Sequence, residues 1–233
     1  MKYLMFFTAI VFLTSSCSEL NGSGNIIKQK RDIPSFTGVE AGGAFEVEIK
    51  KGAVTGVIVE SDDNIMPYIK TKVVAGVLEI SHKDLLSINS GHFKVYITTP
   101  TLNLIKASGA SNFKIIDELD NIEKIYIETS GAAKISAVVN APNIKIKASG
   151  ASTIEIKGKT KKFTAGASGS ASVKCASLLS ENADLSASGA STIRAHASVS
   201  MVAKAGGAAN IYHIGTNNIK EKVSGAANIT SAD

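Results

Sequence analysis

An all-β fold built as a parallel β-solenoid is what this sequence predicts. Three observations carry it: a short phrase that keeps returning, an inside–outside alternation around each return, and a core vocabulary of small and aliphatic residues. The phrase is Ala107-Ser108-Gly109-Ala110-Ser111. It is echoed at Ser130-Gly131-Ala132, Ser149-Gly150-Ala151, Ser168-Gly169-Ser170, Ser188-Gly189-Ala190, Gly206-Gly207-Ala208 and Ser224-Gly225-Ala226. The glycines stand 18–22 residues apart through seven copies, which is the signature of a repeat architecture.

Aligned on the glycine, the copies resolve into strands. Four residues after it stand Phe113, Ile135, Ile154, Val173, Ile193, Ile211 and Ile229, every one large and apolar. Six before it stand Asn103, Ile125, Ile144, Phe163, Ala183, Met201 and Ile219, and four before it Ile105, Ile127, Ile146, Ala165, Leu185, Ala203 and Glu221. Lys106, Glu128, Lys147, Lys204 and Lys222 fall between these columns, so the segment alternates with period two and is a strand, not a helix. A second strand follows each glycine, inward at four and six residues beyond it, and a polar connector such as Asn140-Ala141-Pro142-Asn143 closes the period. A unit of about 20 residues cannot bury its own apolar face, so successive units must stack in parallel at about 4.8 Å. The glycine then serves a bend that a side chain would resist, with Ser and Ala small enough to stack where two walls converge. Stacked serines are expected to form a ladder of hydroxyls.

The ends of the chain read differently. Residues 1–16 are a signal peptide: Lys2, an apolar run from Leu4 to Leu13 too short to span a bilayer, then Thr14-Ser15-Ser16 before Cys17. A cysteine at that cleavage point resembles a bacterial lipobox, which implies a diacylglyceryl group on Cys17 and attachment to a membrane through the N-terminal lipid. Residues 17–25 form a polar linker, SELNGSGN after the cysteine, that lets an anchored domain stand off the membrane. Residues 26–100 contain strands without the tight repeat, at Phe45 to Ile49, Val57 to Glu60, Tyr68 to Val74, Val77 to Ser81 and Phe93 to Thr98, with a hairpin turn at Ala75-Gly76. Gly42-Gly43-Ala44 is a degenerate copy of the corner, so this region forms either the opening rungs of the solenoid or a β cap on its first rung. Residues 101–233 are the Ser-Gly-Ala solenoid. Cys175 falls on an inward column and reads as a buried thiol, leaving no second cysteine for a disulfide once Cys17 is acylated.

Composition bounds the chemistry. The chain has 44% hydrophobic but only 6% aromatic residues and a net charge of +5, which suits a slim aliphatic core and a mildly basic surface. Asp117, Glu118 and Asp120 share one connector, Asp62 and Asp63 another, Glu181 and Asp184 a third, with no rung-to-rung recurrence that would assemble catalytic acids. His82, His92, His196 and His213 have no ligand spacing, so no metal site and no cofactor is expected. Glycine spacing is that of corners, not of a phosphate cradle, and the basic residues lack the density and interleaved aromatics of a nucleic-acid surface.

The run Gly24-Asn25-Ile26-Ile27, then Arg31-Asp32, Phe36-Thr37-Gly38-Val39 and Gly43-Ala44-Phe45-Glu46-Val47-Glu48-Ile49, followed by the serial Ser-Gly-Ala phrases, resembles the family called putative auto-transporter adhesin, head GIN domain. The resemblance implies a β-helical, secreted or lipid-anchored protein and supplies no catalytic motif. A candidate binding stripe is the outward column Lys106, Lys147, Lys204 and Lys222 with Lys145 and Lys220 beside it. The function expected is a non-catalytic adhesion or binding module of the cell envelope, at the outer membrane on its periplasmic face or the cell surface. Its ligand would be an acidic glycan, an envelope polymer or a protein. Alternatives are a self-assembling scaffold, joined through the solenoid ends, and a polysaccharide-active β-helix enzyme.

Overall fold

The computed structural model describes residues 19–83, 87–120 and 123–232, and the signal segment and Cys17 lie outside them. Two long sheets face each other across an aliphatic core, and the glycine corner joins them. The first sheet stacks the strands that lead into the corner, Leu104–Ala107, Lys124–Thr129, Asn143–Ala148, the latter half of Thr153–Ala167, that of Leu178–Ala187, Ser200–Gly207 and Ile219–Gly225. Each pairs in parallel with the next, in a register that places Ile105, Ile127, Ile146, Ala165, Leu185 and Ala203 in one line. The second sheet stacks the strands that leave the corner, from Asn112–Ile115 to Asn228–Ser231, with Phe113, Ile135, Ile154, Val173, Ile193 and Ile211 in line and buried. A short third side links Leu119–Asp120 with Val139-Asn140, Gly158-Lys159 and Leu178-Leu179. Each buried Ile or Leu contributes about 1.5–3 kcal/mol, so the columns supply the stability that no single rung could.

The corner satisfies two demands at once. From Gly109 to Gly225 the φ of every corner glycine lies between +68° and +74°. A Cβ on Gly131 would come within 2.6 Å of the Gly109 carbonyl oxygen, and the same collision with the preceding glycine recurs at each later copy. That close approach lets the ladder run on through the bend: Ala132 N donates to Gly109 O, Ala151 N to Gly131 O, Ser170 N to Gly150 O and Ala190 N to Gly169 O, all at 2.7–2.8 Å. The expected ladder of serine hydroxyls is not what forms. Ser111, Ser152 and Ser191 each donate to the carbonyl three residues earlier at 2.8 Å, because a buried hydroxyl inside a turn finds its own backbone first. Thr129 and Ser152 do pair their hydroxyls, at 2.8 Å.

The N-terminal region combines parallel rungs with antiparallel strands. Gly38–Ala41 and Glu46–Lys51 make a parallel rung against Leu104–Ala107 and Asn112–Ile115. Val77–His82 and Phe93–Thr99 make a further parallel rung outside that one, although they come later in the chain. Beyond it the pairing turns antiparallel: Ile69–Val74 on Val77–His82, Gly56–Asp62 on Phe93–Thr99, and Ile26–Arg31 on Gly56–Asp62. A single 3-10 turn, Met66–Tyr68, bridges the two sheets here.

Two expectations need correction. The segment predicted to be a free tether is held to the body: Glu19–Asn21 pairs in parallel with Ser87–Ser90, Gly24 N donates to Asp62 at 2.8 Å, and Ser23 Oγ donates to Asp63 at 2.5 Å. Its polar side chains match acids presented by the cap, so it docks. The inward columns also fail at their ends. Asn103 is exposed while Leu102 is buried in its neighbourhood, and Glu221 is exposed because, among the described residues, the strand Ile219–Gly225 is paired only with Ser200–Gly207.

Candidate binding face

On the first sheet the side chains that point outward form two columns set by the register. One runs Glu40, Lys106, Glu128, Lys147, Gly166, Ser186, Lys204, Lys222, and the other Tyr126, Lys145, Thr164, Asp184, Val202, Lys220. The predicted stripe is therefore divided. At its N-terminal end acids interleave with the lysines, and Lys106 lies 3.6 Å from Glu40. At the far end Lys204, Lys220 and Lys222 share two adjacent strands.

Between the two groups lies a notch of about 310 Å³. Its floor is Gly166 and Ser186, Lys147 stands on its rim, and Ser149, Ser168 and Ser188 supply hydroxyls from the corner side. Gly166 differs from the corner glycines. Its φ is not positive, and a Cβ there would meet nothing within 4 Å. A mid-strand glycine costs stability, and where packing does not demand it the position suits the close approach of a ligand or another backbone.

Beside the notch, Lys145 and Lys147 project from one strand and flank the ring of Tyr126 at 6.0 and 5.9 Å from its centroid. Tyr126 donates its hydroxyl to Glu128 at 3.1 Å. Burial first, and the neighbouring carboxylate second, push the phenol up to about 12, so it stays a neutral donor. An aromatic face with two cations, next to a hydroxyl-lined hollow, can hold an anionic, hydroxyl-rich chain by charge and hydrogen bonds.

Other surface features were not anticipated. On the second sheet the position five beyond each glycine carries Lys114, Ser136, Glu155, Lys174, Arg194, Tyr212 and Thr230. Arg194 sits 4.8 Å from the Tyr212 ring centroid, and a depression of about 320 Å³ lies between Lys157, Lys174 and Arg194. That column is as legible in the alignment as the first, and attention to the strand before the glycine alone misses it. On the third side, Pro142, Leu179, Lys159, Lys161 and His196 line a furrow of about 570 Å³. In the N-terminal cap, Glu60 receives Lys28 at 2.9 Å, His92 at 2.7 Å and the Tyr96 hydroxyl at 3.1 Å. The bond from Lys28 is the largest cause of a carboxyl held down at about 2.

Five of the seven acids weighed as catalytic have structural partners. Asp117 accepts the Lys51 amide at 2.9 Å, Asp120 pairs with Lys51 Nζ at 3.1 Å, and Glu118 accepts from Asn140. Asp62 and Asp63 bind the N-terminal segment. Glu181 lines the third side, whereas Asp184 stands on the first sheet. Among the described residues no group of His, Cys, Asp and Glu is placed to hold a metal ion. Cys175 is fully buried, and its thiol is pushed up to about 12 by that burial, so it packs as an apolar side chain. His213 is buried one column-step from Ala195 and two from Cys175, a position the spacing of the histidines alone did not reveal.

Comparison with known proteins places this architecture. A putative adhesin from Bacteroides fragilis NCTC 9343 superposes with a TM-score of 0.84 at 20% identity, covering 91% of this chain and 100% of that one. A putative lipid binding protein from Parabacteroides distasonis ATCC 8503 gives 0.77 at 16% identity over 93% and 100% of the two chains. A putative adhesin from Parabacteroides merdae ATCC 43184 gives 0.74 at 17% over 92% and 99%. At these identities the likeness is one of fold. No curated protein matches the sequence. The family model described as putative auto-transporter adhesin, head GIN domain matches residues 35–230, and the chain belongs to that family.

Proposed function

We propose that this chain is a lipid-anchored, non-catalytic binding module of the cell envelope that holds an acidic glycan or envelope polymer along its first sheet. The observation that carries the reading is Gly166, a mid-strand glycine with no steric need, on the floor of a hydroxyl-lined notch between Lys147 and Lys204. The adhesin-head family and the adhesin-like names of the structural neighbours support a binding role, and the sequence of residues 1–17 supports a lipid anchor at the outer membrane. Retention of polymer, not turnover, is the expected activity.

The test is binding to immobilised polygalacturonate. Lys106→Glu, Lys147→Glu and Lys204→Glu together should weaken retention at least tenfold with little change in melting temperature, because exposed charges contribute about 0–1 kcal/mol each. Gly166→Leu should weaken it with no change of charge, by filling the floor. Wild-type retention should fall as salt rises from about 0.05 M to 0.5 M, since the Debye length drops from above about 10 Å toward about 3 Å. Wild-type protein that shows no salt-sensitive retention on any acidic polymer would remove the binding-face reading.

A further inference from the structure

The docked N-terminal segment fixes which end of the molecule meets its membrane, and this step rests on the lipid-anchored reading above. Only Ser18 separates Cys17 from Glu19, and Glu19 already pairs with Ser87. Two residues of chain reach at most about 7 Å, so the body cannot stand clear of a bilayer that holds the Cys17 lipid. Gly22 N donates to Ser90 O at 2.8 Å, and Asp62, Asp63 and Asn64 grip the stretch from Ser23 to Asn25. The chain then enters the strand Ile26–Arg31 without leaving the cap.

Among the described residues that strand is the outer edge of the second sheet, paired on one side only, to Gly56–Asp62. It presents Ile26 at 44% and Ile27 at 38% exposure, followed by Lys28, Lys30 and Arg31. Adjacent exposed isoleucines on an edge strand are a liability in water. At a bilayer interface the same pattern is favourable, because apolar side chains enter the headgroup–acyl boundary while nearby lysines are attracted to anionic lipid. Lys28 shares its charge with Glu60, so Lys30 and the isoleucine pair contribute most.

We propose that Ile26–Arg31 lies against the anchoring membrane, with Ile26 and Ile27 at the headgroup–acyl boundary, and that the Ser-Gly-Ala stack extends away from it. The occupant of this edge is the bilayer surface, not a second copy of the chain.

The natural chain contains no Trp, so single reporters are clean. Full-length lipidated Ile27→Trp and, at the opposite end of the stack, Val223→Trp would be reconstituted in phosphatidylethanolamine–phosphatidylglycerol vesicles carrying brominated acyl chains. Trp at position 27 should lose at least half its fluorescence and shift to the blue, while Trp at position 223 should not change. Unmodified protein should also exchange the amides of Ile26–Arg31 more slowly on vesicles than the soluble Cys17→Ser form does in buffer. If the lipidated protein floats with the vesicles but position 27 is quenched no more than position 223, this orientation is wrong. A doubled mass with protected edge amides in the soluble form would assign the edge to a second copy and equally overturn it. Protein that does not float with the vesicles would overturn the lipid-anchored reading itself.

Discussion

The two ends of the molecule solve the same problem, covering a strand edge, by opposite means. In the repeat region each rung before the last described one is covered by the next copy of itself, about 20 residues on, in parallel. In the N-terminal region the chain makes one rung, passes outside it to build the cap, and returns, so that Glu46–Lys51 is enclosed between Phe93–Thr99 and Asn112–Ile115. The first arrangement needs small, uniform residues and depends on neighbours one rung away. The second relies on antiparallel pairs, on an edge-to-face contact of Phe45 with Phe93 at 5.5 Å, and on the Glu60 network. A repeat can extend a stack but cannot end it, and the cap is where the sequence stops repeating.

The sharpest way to separate the two regions is to break the stack in its middle. Ile154→Asp places an unpaired carboxyl between Ile135 and Val173, at a site with no exposure, and should cost several kcal/mol. Thr153→Asp, outward on the same strand, should be nearly neutral in urea melts. Because coupling in a stack runs through neighbours, hydrogen exchange in Ile154→Asp should speed most in the rungs beside residue 154 and least in Gly56–Asp62. Uniform loss of protection would mean that cap and stack are one cooperative unit.

A smaller effect tests the corner against the sheet. Gly150→Ala forces a left-handed backbone on alanine and drives its Cβ to 2.7 Å from Gly131 O, costing about 1–2 kcal/mol from backbone conformation alone. Gly166→Ala meets no such contact and should stabilise by about 0.4–1 kcal/mol through the unfolded chain. Paired thermal melts would check the sign at each site, and equal losses at the two would put packing demands on Gly166 after all.

The smallest effect belongs to the cap. Glu60 is held at about 2 instead of 4.5, chiefly by Lys28, so the unfolded chain takes up its proton first as pH falls. The stability due to this carboxylate is complete above about pH 4.5 and is lost on the way down to about pH 2. Glu60→Gln should therefore lose less stability than wild type between pH 5 and pH 2 while melting slightly lower at pH 7. The difference should stay within a few degrees, since Lys28 is largely exposed.

By itself the sequence determined everything governed by periodicity. The corner glycines, the inward column from Phe113 to Ile211, the burial of Cys175 and the identity of the outward lysines all follow from a repeat whose copies must sit in register. Tertiary structure alone decided what depends on contacts far apart in the chain. The docking of Glu19–Asn25 needs acids some 40 residues away, and the displaced order of the first rungs needs strands that pair across the cap. The notch at Gly166 exists because Lys147, Gly166 and Ser186 come from successive rungs and line one hollow only when those rungs are stacked. A period fixes which side chains point outward, whereas distances between side chains from different rungs appear only once the rungs have been laid on one another.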